Sequence, residues 1–186
     1  MIKSIAWGTW DRDADACVSQ VRGEGTPLWL REVPAPITLA KSRGLDLAAA
    51  LDDNPESGNA FLDQMVNEVA GQMSEAISDG VDGIAYCIDG AYPAATTPMQ
   101  YGGYFLERDR ELLEHVKGLK FTLAFVEGTE EVYLDTVSDL PVDAMGWRIK
   151  ETGYTTEMMS FNRPGPFASF DELGDIRLKA TQEACA

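Results

Sequence analysis

Asp89 closes the short apolar run Ile84-Ala85-Tyr86-Cys87-Ile88 and is followed by Gly90. A carboxylate at the end of a buried strand can orient an N–H group or move a proton, and parallel α/β folds place such groups at the carboxyl ends of their strands. The ordinary alternative is a loop-start aspartate that caps a turn. Arg31, Arg148 and Arg163 each stand after a predicted strand. On parallel strands they would gather at one rim, where guanidinium groups bind carboxylates bidentately. For any one of them the ordinary alternative is a surface ion pair with an acid such as Glu32 or Glu151. Glu127 ends a further predicted strand, either as a catalytic group or as a cap for a helix starting near Thr129. Tyr86 and Trp147 are candidates for the same mouth, although aromatic residues in strands commonly belong to the core.

Other chemistries find little support. His115 lies in a charged helical stretch with no second histidine, which makes it a poor metal ligand. Cys17, Cys87 and Cys185 are odd in number and far apart, as suits reduced thiols, and Cys87 reads as a small buried hydrophobe. There is no glycine-rich phosphate loop and no nucleophile elbow, so neither a cofactor nor a metal is expected. The net charge of −16 disfavours nucleic acid and anionic membrane surfaces. An anionic small-molecule substrate would need local arginines to overcome that field. No apolar run approaches the ~20 residues of a membrane span, and Met1-Ile2-Lys3-Ser4 opens no signal peptide, so the expected address is the cytoplasm.

The elements that must position these residues centre on a long helix. Phe61, Leu62, Met65, Val66, Val69, Ala70, Met73, Ala76 and Ile77 recur at helical spacing, Asp79-Gly80 stops the helix, and the strand ending at Asp89 follows. In chain order, strands are expected over 4–10, 27–33, 84–88, 120–126, 142–147 and 157–161. Helices are expected over 13–21, in turns across 37–51 broken at Gly44, over 103–117 and 130–140, and from a capping box at Ser169. The loop over 90–98 is longer than an ordinary βα connection and is a candidate lid or binding loop.

The alternation gives about six βα units in a single domain, residues 1–186, and argues for an α/β fold with a TIM-barrel-like parallel βα repeat. A closed (β/α)₈ barrel usually takes ~200 residues or more. The chain therefore suits a reduced barrel, an open doubly wound sheet, or an incomplete barrel completed by dimerisation. A homodimer is expected, because an incomplete barrel leaves strand edges and apolar faces to cover.

Two stretches resemble the uroporphyrinogen decarboxylase superfamily. The first is Ala35-Pro36-Ile37-Thr38-Leu39-Ala40, then Pro55, the long helix and Gly80-Val81-Asp82-Gly83-Ile84. It is similar to that family's Pro-x-Thr-Leu helix start and Gly-Ala-Asp strand start. The second is Gly128-Thr129-Glu130 with Leu140-Pro141-Val142-Asp143-Ala144-Met145-Gly146-Trp147. The resemblance spans roughly residues 13–165 and rests on order and spacing. It implies a TIM barrel and cofactor-independent removal of carboxylates from a tetrapyrrole in porphyrin biosynthesis, or from a small polycarboxylate. Under it, Arg31 would stabilise the departing carboxylate and Asp89 would protonate the carbon, with Arg148, Arg163, Tyr86, Trp147 and Glu127 binding substrate.

The chain departs from the family in several places. The family's arginine-rich N-terminal motif has no counterpart, Ser42 stands where the decarboxylases carry a tyrosine, and the related methyltransferases' zinc motif falls on Ala124-Phe125-Val126-Glu127. These departures support the alternative of a non-catalytic ligand-binding or assembly protein on the same scaffold.

Overall fold

The apolar stripe over 61–77 does form the helix against which the sheet packs. The structure, a computed structural model, describes residues 9–10, 18–21, 28–129, 131–164 and 167–169. Strand β2 (Val18–Val21) runs antiparallel to both its neighbours, β1 (Thr9–Trp10) and β3 (Leu28–Pro34). From β3 onward each neighbour is parallel: β4 (Gly83–Ile88), β5 (Phe121–Val126), β6 (Ala144–Trp147) and the short β7 (Phe167–Ser169). The fold is α/β, as expected, but the sheet is mixed rather than wholly parallel. Strand order follows chain order, so the described strands contain no reversal of the kind that marks a doubly wound sheet.

The connections are helical. After β3 come α1 (Pro36–Ser42), α2 (Leu47–Asp53) and α3 (Pro55–Ser78). After β4 come α4 (Pro98–Gln100), a π-helical turn (Tyr101–Phe105) and α5 (Leu106–His115). Then α6 (Leu134–Val137) precedes β6, and α7 (Ile149–Thr152) and α8 (Thr156–Ser160) follow it. The start of α3 is set by Asn54, whose side chain accepts from Ser57 N at 3.1 Å, and by Pro55 in the first turn. Its end is set by Gly80 at φ +77°, a left-handed position that glycine adopts without strain.

Leu62, Met65, Val69, Met73 and Ala76 line the buried face of α3. They pack with Val33, Ile84, Tyr86, Ile88, Ala124, Val126, Met145 and Trp147, the alternate strand residues that share one face of the sheet. The opposite face carries Leu30, Ala85, Leu123, Phe125 and Ala144, all 0% exposed. Burial on both faces is why these strands read as continuous apolar runs. Each buried Leu, Ile or Met contributes roughly 1.5–3 kcal/mol.

Two expected elements change type. The helix drawn over 13–21 gives way to β2, where Val18 and Val21 pair with Arg31 and Leu28 across an antiparallel ladder; residues 11–17 lie outside the described residues. The β-branched valines suit this pairing better than a lone amphipathic turn. The strand drawn over 157–161 is instead α8, N-capped by Thr155, whose side chain accepts from Met158 N at 3.2 Å. Met159 is buried while Met158 and Phe161 are exposed, a helical rather than an alternating pattern. Of the first expected strand only Thr9–Trp10 lies within the described residues, and the helix expected from Ser169 lies outside them beyond that residue, which ends β7. Among the described residues no helix is long and apolar enough to cross a membrane.

Candidate functional site

Parallel strands in chain order bring Asp89, Glu127 and Arg148 to one edge of the sheet, directly after β4, β5 and β6. The first turn of α1 crosses this edge. Ala35 N donates to Cys87 O at 2.8 Å, and Thr38 Oγ1 donates to the same carbonyl at 2.9 Å while accepting from Asp89 N at 2.7 Å. Thr38 thereby ties the helix to the last peptide of β4 and fixes the backbone from which the Asp89 side chain departs.

Lys41 lies three residues after Thr38, on the same helical face. Its ammonium donates to both Asp89 oxygens, at 2.7 and 2.8 Å, and to Tyr92 Oη at 2.5 Å. Tyr92 Oη in turn donates to Asp89 Oδ1 at 2.8 Å. Partial burial disfavours the Lys41 charge, but hydrogen bonds to Asp89 and Tyr92 outweigh it and raise the pKa. Burial, helped by Asp89 and opposed by Lys41, also raises Tyr92. At neutral pH the cluster therefore presents an ammonium and a protonated phenol beside a carboxylate.

This cluster borders a cavity of about 260 Å³ whose other walls include Ile37, Leu45, Leu47 and Ala48. Asp46 and Asp89 line it as well, so one ammonium and one phenol stand beside two carboxylates and an apolar wall. A second cavity of about 390 Å³ is bounded by Tyr92, Pro93, Ala94, Gly128, Thr129 and Glu131. Tyr92 and Ala94 line both cavities, so the loop singled out in the sequence does line them.

The remaining expected site residues are dispersed. Arg148 stands at the same edge, with Nε 3.4 Å from Glu127 Oε2 and Nη1 3.4 Å from Glu151 Oε1. Arg31 does not follow β3 but lies inside it, on the helix-packed face, paired with Asp79 at 2.9 Å beyond the end of α3. That is the amino-end side of β4, opposite Asp89. Arg163 follows α8 rather than a strand and donates to the carbonyls of Ser138, Leu140 and Val142, in the loop leading into β6. The expected rim of three arginines is thus reduced to Arg148. Tyr86 is fully buried and donates to Asp109 at 2.6 Å, and Trp147 is fully buried against Tyr154 and Phe167, so neither lines the mouth.

No known family model matches this sequence, and no curated protein matches it. Lys41 and Tyr92 went unnoticed in the sequence because a lysine on a short helix reads as solvated and a tyrosine in a loop carries no periodic signal. The available clue was the three-residue spacing of Thr38 and Lys41 on a helix that starts where a strand ends. Among the described residues, no group of three His, Cys, Asp or Glu side chains gathers to hold a metal ion.

Proposed function

We propose that this chain is a uroporphyrinogen decarboxylase-like protein on a barrel-type scaffold, and that it binds a carboxylate at the Lys41–Asp89–Tyr92 cleft and decarboxylates it without a cofactor. The observation that carries this reading is the ammonium and phenol placed together at the carboxyl edge of the sheet, on the wall of a cavity that Ile37, Leu45, Leu47 and Asp46 also line. A cavity of about 260 Å³ takes a small acid or one carboxylated arm of a larger molecule, not a whole tetrapyrrole.

In the reaction, the carbon–carboxylate bond breaks, CO₂ leaves, and the electron pair stays on carbon. Lys41 stabilises the developing negative charge, taking the role that the sequence assigned to Arg31. Tyr92 gives its proton to the carbanion, and the phenolate beside Lys41 is reprotonated from water. Asp89 orients both donors.

A second reading, ligand binding without catalysis, is favoured by charge balance: Lys41 already faces Asp89, and Arg148 faces Glu127. Turnover separates the two. Uroporphyrinogen and a panel of small carboxylates, followed by chromatography and CO₂ release, should show loss of carboxylate. Saturable binding with no CO₂ would leave the binding protein.

The proposal includes a cytoplasmic homodimer. In its support, β1 and β7 are sheet edges among the described strands, and Met99 and Phe161 are 88% and 89% exposed. Light scattering should give the mass of a dimer; a monomer would contradict it.

A further inference from the structure

The Lys41 nitrogen is equipped to do more than carry charge. Its side chain is 49% exposed at the carboxyl edge and borders the cavity walled by Ile37, Leu45, Leu47 and Ala48. Lys117 and Lys120 pair with Glu114 and Asp82 at more exposed positions, and neither lines this cavity or the second one. The Lys41 ammonium touches two groups that can take or return a proton, Asp89 at 2.7 and 2.8 Å and the Tyr92 phenol at 2.5 Å. Tyr92 also donates to Asp89 at 2.8 Å, so protons can pass among the three without solvent. Addition of an amine to a carbonyl needs this set: one group to free the nitrogen lone pair and another to protonate the oxygen.

We infer that Lys41 forms an imine with a small 3-oxo acid held in this cavity. This rests on the decarboxylation proposed above and names its substrate class and its electron sink. Asp89 takes one ammonium proton, and the freed nitrogen adds to the ketone carbon. Tyr92 protonates the carbonyl oxygen and recovers a proton from the nitrogen. The proton held by Asp89 then carries the hydroxyl away as water, leaving a protonated imine and the Asp89 carboxylate. Next the bond to the carboxylate breaks, CO₂ leaves, and the electron pair passes into the imine to give a neutral enamine. Tyr92 protonates the enamine carbon and is reprotonated from water. A second water splits the imine into a ketone and the resting ammonium. Because the tether is covalent, capture does not depend on a positive lining, to which Asp46 and Asp89 contribute two carboxylates.

Borohydride reduces an imine to a stable secondary amine, so acetoacetate is added with borohydride and the digested protein is mapped by mass. The Lys41 pKa is raised, so the trap is run at about pH 9 to enlarge the free-amine fraction. Lys41 should carry the adduct at least about tenfold more often than Lys117 or Lys120 in the same sample, the gain of a positioned acid and base. Asp89→Asn should bring Lys41 down to the level of those surface lysines. Lys41→Arg keeps the cation but cannot form an imine, and should lose both adduct and CO₂ release at a folded fraction matched by circular dichroism. Equal labelling of the three lysines, or CO₂ release that persists in Lys41→Arg, would overturn the covalent role while leaving charge-assisted decarboxylation standing. A Lys41 adduct without CO₂ release would keep the imine site and overturn the decarboxylation. Absence of both would overturn the two together.

Discussion

Lys41 is the residue on which the functional reading turns, and Thr38 is the residue that makes it usable. The Thr38 hydroxyl satisfies both Cys87 O and Asp89 N, so it couples the register of α1 to the end of β4. Thr38→Val keeps the shape but removes both hydrogen bonds. It should cost about 1–2 kcal/mol in denaturant unfolding, because a partly buried N–H loses its partner. An unchanged midpoint would contradict that coupling. Asp89 was legible in the sequence because it ends an apolar run before glycine, a position that strand geometry makes informative. The arginines were misread for the opposite reason. Arg31 lies inside β3, within the strand expected over 27–33 rather than after it, and Arg163 follows a helix where a strand is expected.

At the scale of elements, the connection from β4 to α5 holds the least expected group in the fold. Asp109 is fully buried and accepts from Tyr86 Oη at 2.6 Å and Tyr101 Oη at 2.5 Å, the second from the π-helical turn eight residues earlier. Burial raises its pKa from 3.8 to about 6, against the two phenol hydrogen bonds. Between those values the folded state binds a proton that the unfolded chain has released, so stability falls as pH rises through the window. The loss is on the order of 3 kcal/mol by neutral pH. Asp109→Asn should remove that slope, measured as unfolding free energy from pH 4 to 7 beside the parent protein. A parent curve that rises through this range in step with the variant would contradict the account. Nothing in the sequence marked Asp109, since an aspartate in a charged helical stretch reads as exposed until its two tyrosine partners are placed.

For the molecule as a whole, much of the α/β alternation was legible, because long periodic stretches such as α3 and continuous apolar runs such as β4 and β5 carry their own signal. The segments read wrongly, β2 and α8, are four and five residues long, and their state is decided by distant pairing or by a cap rather than by periodicity. The site followed the same rule. The edge at which it forms was foreseeable from strand order, while the ammonium and phenol that equip it come from a helix and a loop that only folding brings together. The central claim places function at Lys41 on the carboxyl edge and not at Arg31 on the far side of the sheet. The most direct measurement is CO₂ release from the carboxylate panel and uroporphyrinogen by the parent protein, Lys41→Met and Arg31→Met. Activity in the parent, lost by a factor of about 100 or more in Lys41→Met and kept in Arg31→Met at matched folded fraction, is the predicted result. Activity that survives Lys41→Met, or that disappears with Arg31→Met alone, would contradict it.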